Sequence, residues 1–545
     1  MKYDIQDLLI DVIEESLKGL GMSMSVRPAY LDLPGDPRFG DLSTNIALQL
    51  SKQVSRPPRD IASDMVAAIK KRLAESPAGV LVEDIRIEGP GFINFYLSPN
   101  YFYSEILEIV RTQGEALKSA KGKSLPVLIE FVSANPTGAL SVAHARQAAV
   151  GDALASILDF MGFKVTREYY LNDEGNQINI LGNSVELRMK ELAGEKIDFP
   201  EDHYQGDYIY DIAKVAKAGL PQGIELRDFA AGFILDVIRK ELDDFGVKFD
   251  SWYSQKELGK RGLIEDALDY LKKQGFVYTE DGATWFKSTQ FGDDKDRVVI
   301  KSDGAYTYLA PDIAYHREKY RRGFKWLINF WGPDHHGYIN RLKAAVEALG
   351  NPKDSLSIII VQLATIYRDG KQLHMSTRKG QYITLREVLD EVGKDAARFF
   401  FMMRRTASHL DFDLDIAKKH SSENPVYYVQ YAHARICSIL KNSPAASGAC
   451  DIDLSVLKEK EELALLKKIW QFYSVLDICL ATQDPYMLTV YLQALAESFH
   501  KFYDLHRVLG TDDKLTRARV TLIEAVKIVI ASGLGLLGVS RPESM

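Results

Sequence analysis

At 545 residues the chain is too long for one ordinary domain, and two to four are expected. Hydrophobic residues make up 46% and charged residues 26%, a balance that lets a globular core form without covalent staples. The three cysteines, Cys437, Cys450 and Cys479, lack the CxxC spacing of a zinc site and the number of a disulfide framework. The net charge of −7 excludes a wholesale basic coat for nucleic acid, though not a local basic face.

The first twenty residues predict an amphipathic helix with acidic residues spread through it, not a secretion signal. No run of 18 apolar residues occurs, so no membrane span is predicted and a cytoplasmic location is expected. A loop rich in Pro, Gly and Asp at 33–41 precedes more helical pattern and a β-like ending at 85–97. The polar stretch 111–124 reads as a linker.

The apolar run 127–132 predicts a strand, broken by the turn residues from Ser133 to Gly138. A helix of small residues at 143–161 and a second strand at 164–171 complete a βαβ unit, which implies a parallel sheet. The helical, charged stretch that starts near 177 reads as an insertion. Alternation resumes with a strand at 326–330, a helix at 338–349 and a strand at 357–366. The basic run 316–322 reads as a solvated helix end. From about 412 onward the pattern is nearly all helical and predicts a bundle.

Two segments have the chemistry of phosphate sites. The sequence 141–152 puts Ser141 and His144 in the first turn of a helix, where free N–H groups and the dipole favour anions. Ala143 and Ala145 are small enough for a nucleotide to approach. By residue type alone, the reading of His144 as an exposed helix-start histidine prevails, because lone histidines are common. The loop 368–380, RDGKQLHMSTRKG, gathers glycines, hydroxyls and cations between a strand and a helix beginning near Thr384. Its composition also suits a basic surface loop. Tyr427, Tyr428, Tyr431 and His433 form an aromatic stripe that suits either core or RNA stacking. Asp334-His335-His336 spells a metal phosphoesterase motif without the dispersed aspartates. Residues 533–538 spell GxGxxG without a preceding strand and read as a helix end.

EFVSANPTGALSVAHARQAAVGD at 130–152, together with HMSTRKG at 374–380, resembles the two signatures of class I aminoacyl-tRNA synthetases, in the spelling of bacterial arginyl-tRNA synthetases. The resemblance continues through YYLNDEGNQI, DGAYTYLAPDIAYHREKYRRGF, WGPDHHGYINRLKAA and the closing LGVSRPESM, and covers essentially the whole chain. It departs at Ser141, where the family's first signature begins with histidine, and at His374, where lysine often stands.

The resemblance implies an α/β architecture in three parts. These are an α+β N-terminal domain at 1–110 that contacts the tRNA elbow, a Rossmann-like catalytic domain at 124–411 with an insertion at about 177–290, and an all-α anticodon-binding domain at 412–545. It implies an arginine–tRNA ligase that forms arginyl-adenylate from ATP and transfers arginine to the 3′ end of tRNA(Arg). A degenerate paralogue that binds tRNA without charging it is the alternative, and a metal-dependent phosphoesterase a minor one. The implied catalytic residues are Ser141, His144, Met375, Ser376, Thr377, Arg378 and Lys379. Glu130, Ser133, Asn135, Tyr308, Asp312 and Gln362 would hold arginine, with Tyr308 and Asp312 four apart on one helix face. Ala134, Pro136, Thr137, Gly138, Ala143, Gly332, Asp334, His335 and Met375 would join His144 around ATP. Asn45, Tyr427, Tyr431, His433 and Arg435 would contact tRNA. ATP with Mg²⁺, arginine and tRNA are the expected partners of a monomer, with no tightly bound cofactor and no metal site.

Overall fold

The computed structural model describes residues 5–22, 31–373, 382–443 and 452–545. Met375, Ser376, Thr377, Arg378, Lys379 and Cys450 lie outside the described residues.

The N-terminal unit contains α1 (Ile5–Gly19), β1 (Leu42–Thr44), α2 (Ile46–Val54), α3 (Pro58–Ala74), β2 (Val82–Glu88), β3 (Phe92–Leu97) and α4 (Pro99–Arg111). Its antiparallel sheet, in the order β1-β3-β2, covers a core of Leu9, Ile13, Ile61, Ile69, Ile93 and Phe95. Trp470, from far along the chain, completes that core and meets Tyr101 and Phe102 edge-on.

The central unit begins with β4 (Pro126–Glu130), α5 (Val142–Phe160) and β5 (Lys164–Leu171). The helices α6 (Asn176–Glu191), α7 (Asp207–Ala218) and α8 (Leu226–Asp244) follow. The chain then returns as β6 (Ser251–Ser254), pairing parallel to β5. This corrects the insertion outlined at 177–290, because β6 is an edge strand of the main sheet. Four residues of mixed polarity carry no strand periodicity, so only the pairing reveals them.

Next come α9 (Gln255–Lys260), α10 (Leu263–Lys273), the antiparallel strands β7 (Val277–Glu280), β8 (Ala283–Phe286) and β9 (Arg297–Ile300), then α11 (Leu309–Arg321). The sheet is completed by β10 (Trp326–Trp331), α12 (Ile339–Ala348) and β11 (Leu356–Ile360), in the order β11-β10-β4-β5-β6 with every pairing parallel. The order reverses around β4, the first strand, so its carboxyl end opens the crevice where ligands sit in such folds. The strand predicted at 357–366 is in fact two. After β11 the chain leaves the sheet and forms β12 (Ala364–Arg368), which pairs with β13 (Lys371–Gln372) and later β14 (Leu410–Asp413).

Between them lies α13 (Leu385–Phe401), broken at Gly393. The last elements are α14 (Leu414–Ala417), α15 (Pro425–Lys441), α16 (Lys460–Thr482), α17 (Tyr486–Leu505) and α18 (Asp513–Leu536). They share one hydrophobic core with the central unit, running from Ile106 to Val539. The buried guanidinium of Arg398 on α13 ties the two together. It donates to Leu537 O at 2.8 Å and pairs with Asp152 of α5 at 2.6 Å. Gly538, at φ +67, passes so close that a Cβ there would collide with that guanidinium. The GxGxxG spelling therefore ends a helix, as its missing strand predicts.

Candidate active site

The loop leaving β4 is strained. Val132 and Ser133 have φ of 68° and 40°, the left-handed region that β-branched residues avoid. Ser133 earns the strain, since its Oγ donates to Glu130 Oε1 at 3.2 Å and accepts from the Tyr170 N–H at 3.1 Å. Asn135 Nδ2 donates to Gln177 Oε1 at 2.6 Å.

The rest of the loop is held by tyrosine hydroxyls donating to its carbonyls. Tyr169 reaches Ala134 O, Tyr208 of α7 reaches Thr137 O, and Tyr382 reaches Ala139 O, at 2.8, 2.7 and 2.9 Å. A Cβ on Gly138 would stand 3.2 Å from the Tyr382 hydroxyl. Pro136 is buried inside the loop. None of these tyrosines was singled out from sequence, since each sits far from the loop along the chain.

Ser141 is the N-cap of α5, not part of its first turn. Its backbone N–H donates to His144 Nδ1 at 3.2 Å, and its Oγ lies 3.1 Å from the same nitrogen. A backbone N–H can only donate, so Nδ1 accepts and the neutral ring carries its proton on Nε2. Burial pushes His144 down to about 4, which keeps the ring neutral. The result is a fixed N–H donor at a helix N-terminus, beside half-buried Ala143. Serine is among the preferred N-caps, which accounts for the residue at 141 in structural terms. The chain just after the second signature lies alongside: Val142 N donates to Ile383 O, and Leu385 N to Leu140 O.

At the other end of the crevice, Tyr308 caps α11 and is 84% exposed. Asp312, one turn on, accepts from the Tyr338 hydroxyl at 2.7 Å. Burial, with Glu130 nearby, raises Asp312 to about 7, against the pull of Tyr338 and Lys319. A cavity of about 750 Å³ opens beside it, lined by Asp173, Asn179, Arg227, Thr307, Tyr308 and Pro311 among others.

The basic run 316–322 is a solvated helix end only at its last residues, such as exposed Arg321. Lys319 is fully buried and bonds Glu130 Oε2 at 2.5 Å, while His316 and Glu318 are buried too. Lys319 turns inward because Glu130 waits beneath it, whereas Arg317 and Arg321 pair with Asp266 of α10. Arg322 meets Glu168 at 2.5 Å. One could have read this from the i, i+3 spacing of His316, Lys319 and Arg322, which marks a single helix face.

Three other assigned residues are placed differently from expectation. Gln362 lies on the connection between β11 and β12 rather than on a strand, and its carbonyl accepts from buried Arg146 at 2.7 Å. Gly332 follows β10 and caps the next turn, which leaves Asp334 and His335 exposed. Among the described residues, no three His, Cys, Asp or Glu side chains gather as a metal site. His433 is 5% exposed and hydrogen-bonded at Nδ1 to Pro542 O at 2.9 Å, so its ring belongs to the core and cannot stack on RNA. Tyr427 and Tyr431 stack at 6.2 Å, and Arg435 donates to the Tyr431 hydroxyl. Asn45 caps α2, where its Oδ1 accepts from Gln49 at 2.6 Å.

Three family models match in succession. They describe an arginyl tRNA synthetase N terminal domain over residues 7–97, a class I (R) tRNA synthetase catalytic domain over 105–413, and a DALR anticodon binding domain over 429–545. The arginine–tRNA ligase of Citrifermentans bemidjiense is 45% identical, with all of both chains covered. That of Bacillus subtilis is 44% identical, over 99% of this chain and 100% of its own. Arginyl-tRNA synthetase from Thermus thermophilus shares the fold, with a TM-score of 0.79 at 22% identity over 99% of this chain and 100% of that one. With likeness of this depth from end to end, the chain belongs to the arginyl-tRNA synthetases, class I ligases.

Proposed function

We propose that this chain charges tRNA(Arg) in the crevice at the carboxyl end of β4, with the residues in the following roles. Asp312, assisted by Glu130, receives the guanidinium of arginine, whose planar fork of donors demands carboxylates. Asn135 and Ser133 orient the amino-acid end, and Tyr308 and Gln362 close its flanks. The carboxylate of arginine attacks the α-phosphorus of ATP, which enters as its Mg²⁺ complex. The α-phosphorus bond to the bridging oxygen breaks, and pyrophosphate leaves with the bonding electrons. A terminal ribose hydroxyl of tRNA then attacks the acyl carbon, loses its proton and releases AMP.

Charge builds on the phosphate in the first step. The Nε2–H of neutral His144 and the N-terminus of α5 meet it without reorganising. The loop 134–138 and residues 332–335 hold the nucleotide. Met375, Ser376, Thr377, Arg378 and Lys379 supply hydroxyls and cations from the second signature. Residues 1–110 take the tRNA elbow, and Tyr427, Tyr431 and Arg435 its anticodon arm. The enzyme works as a cytoplasmic monomer. That no described helix is long and apolar enough to cross a membrane is compatible with this.

One observation carries the reading: half-buried Asp312, accepting from the Tyr338 hydroxyl, has Glu130 near enough to act on its proton, while neutral His144 holds an Nε2–H donor at the start of α5. Arginine-dependent ATP–pyrophosphate exchange, run with and without tRNA, tests it. Exchange is expected with arginine and tRNA together and not with lysine. A chain inert in every mixture overturns the reading.

A further inference from the structure

Glu130 and Asp312 are joined beneath the crevice by a chain of buried polar groups. Lys319 Nζ donates to Glu130 Oε2 at 2.5 Å and to Asn329 Oδ1 at 3.2 Å, and lies 4.1 Å from the centre of the Tyr315 ring. Because Asn329 Oδ1 accepts, its Nδ2 donates to His316 Nε2 at 2.9 Å. His316 Nδ1–H therefore donates to the main-chain carbonyl of Asp312 at 2.8 Å. Burial and the Lys319 charge both hold His316 neutral, well below its ordinary value, which this donor order requires.

The groups around the pair come from every neighbouring element. Lys319 and His316 share α11 with Asp312, and Glu130 comes from β4. Glu168 and Tyr170 come from β5, with Glu168 held by Arg322 and the Tyr315 hydroxyl. Tyr338 follows β10, with Arg341 of α12 over its ring. Asp173 lies beyond the end of β5. Lys319 sets one ammonium against the two carboxylates of the pair, leaving one carboxylate for a guanidinium, while Glu168 is matched by Arg322 and the cavity beside them carries further charges at Asp173 and Arg227.

We infer that Lys319 is a positioning residue for arginine, fixing Glu130 and setting the charge of the Glu130–Asp312 pair so that it matches a single substrate cation. The inference rests on the assignment of these two carboxylates to the arginine site. Without the ammonium, two acids would face one guanidinium, and Asp312 would keep its proton to higher pH. Without Glu130 the ammonium would act on Asp312 alone and release that proton earlier. A merely structural lysine would change stability and leave this proton balance untouched.

The test is the arginine Kd of the full chain, by calorimetry from pH 5.5 to 8.5. Lys319→Met should move the acid limb of arginine binding up by about one pH unit. Glu130→Gln should move it down, and the double variant should bring it back near the wild type. ATP affinity should stay within about twofold throughout, since the pair acts at the other end of the crevice. An unmoved limb in Lys319→Met overturns the inference. If that variant does not fold, the double variant against Glu130→Gln decides: a higher limb in the double supports the inference, and no difference overturns it. Asp312→Asn separates the two levels. If Asp312→Asn leaves arginine binding intact, the site assignment itself falls; if it abolishes binding while the Lys319 variants leave the limb in place, only the role of Lys319 falls.

Discussion

The two ends of the crevice are built in opposite ways. The end proposed for the guanidinium is made of side-chain charge: Asp312, Glu130 and Lys319 are packed among tyrosines, and a neutral histidine runs from the Lys319–Asn329 contact to the Asp312 backbone. The end proposed for the phosphates is made of backbone: a strained loop, three tyrosine hydroxyls bracing its carbonyls, and a helix start whose histidine carries no charge. The difference follows the ligands. A guanidinium never loses its charge, so a dry carboxylate can wait for it, and an unfilled or mismatched site is costly. Phosphate charge shifts during reaction, and fixed dipoles stabilise it without having to move.

Breaking the guanidinium end should cost most. Asp312→Asn removes one partner of a buried ion pair, worth about 3 kcal/mol, so the arginine KM should rise about 100-fold while the ATP KM stays put. Steady-state charging kinetics checks this, and an unchanged arginine KM would remove Asp312 from the site.

Next is pH. Burial raises Asp312 to about 7, and only its ionised form suits a guanidinium. Arginine binding therefore weakens as pH falls through 7, by about tenfold between pH 8 and pH 6, with proton release on binding. His144 stays neutral above about 4, so ATP binding should be flat over the same range. Equal pH dependence for both ligands would erase the contrast between the two ends.

At the phosphate end, Ser141→His should raise kcat for adenylate formation about tenfold, because a second imidazole donor acts on the developing charge. It should also cost about 1 kcal/mol of stability by removing the serine cap. A fall in kcat would show that Ser141 serves better through its hold on His144. The smallest effect belongs to the brace. Tyr382→Phe loses one hydroxyl–carbonyl bond, about 1 kcal/mol, and should lower kcat about fivefold with the arginine KM unchanged. A shift in arginine KM instead would mean that the two ends are mechanically coupled.

The sequence by itself determined the βαβ start, the position of α5, the helical final third and, through long ordered motifs, the family. These are properties of local period and turn chemistry, which neighbours along the chain settle. It also brought Glu130, Asp312 and His144 forward as the proposed site residues, because each lies in a contiguous motif. What it did not determine depends on residues meeting from far apart. The strand β6 is visible only in its pairing with β5, and the split of 357–366 into β11 and β12 only in its two sheets. His433 turns inward because the C-terminal segment passes over it with the Pro542 carbonyl. Lys319 looked like surface charge because a lysine in water and a lysine bonded to a buried carboxylate are spelled alike. Only the tertiary fold, by laying α11 across β4 and burying Lys319 between them, decided that its charge is spent on Glu130 and not on solvent.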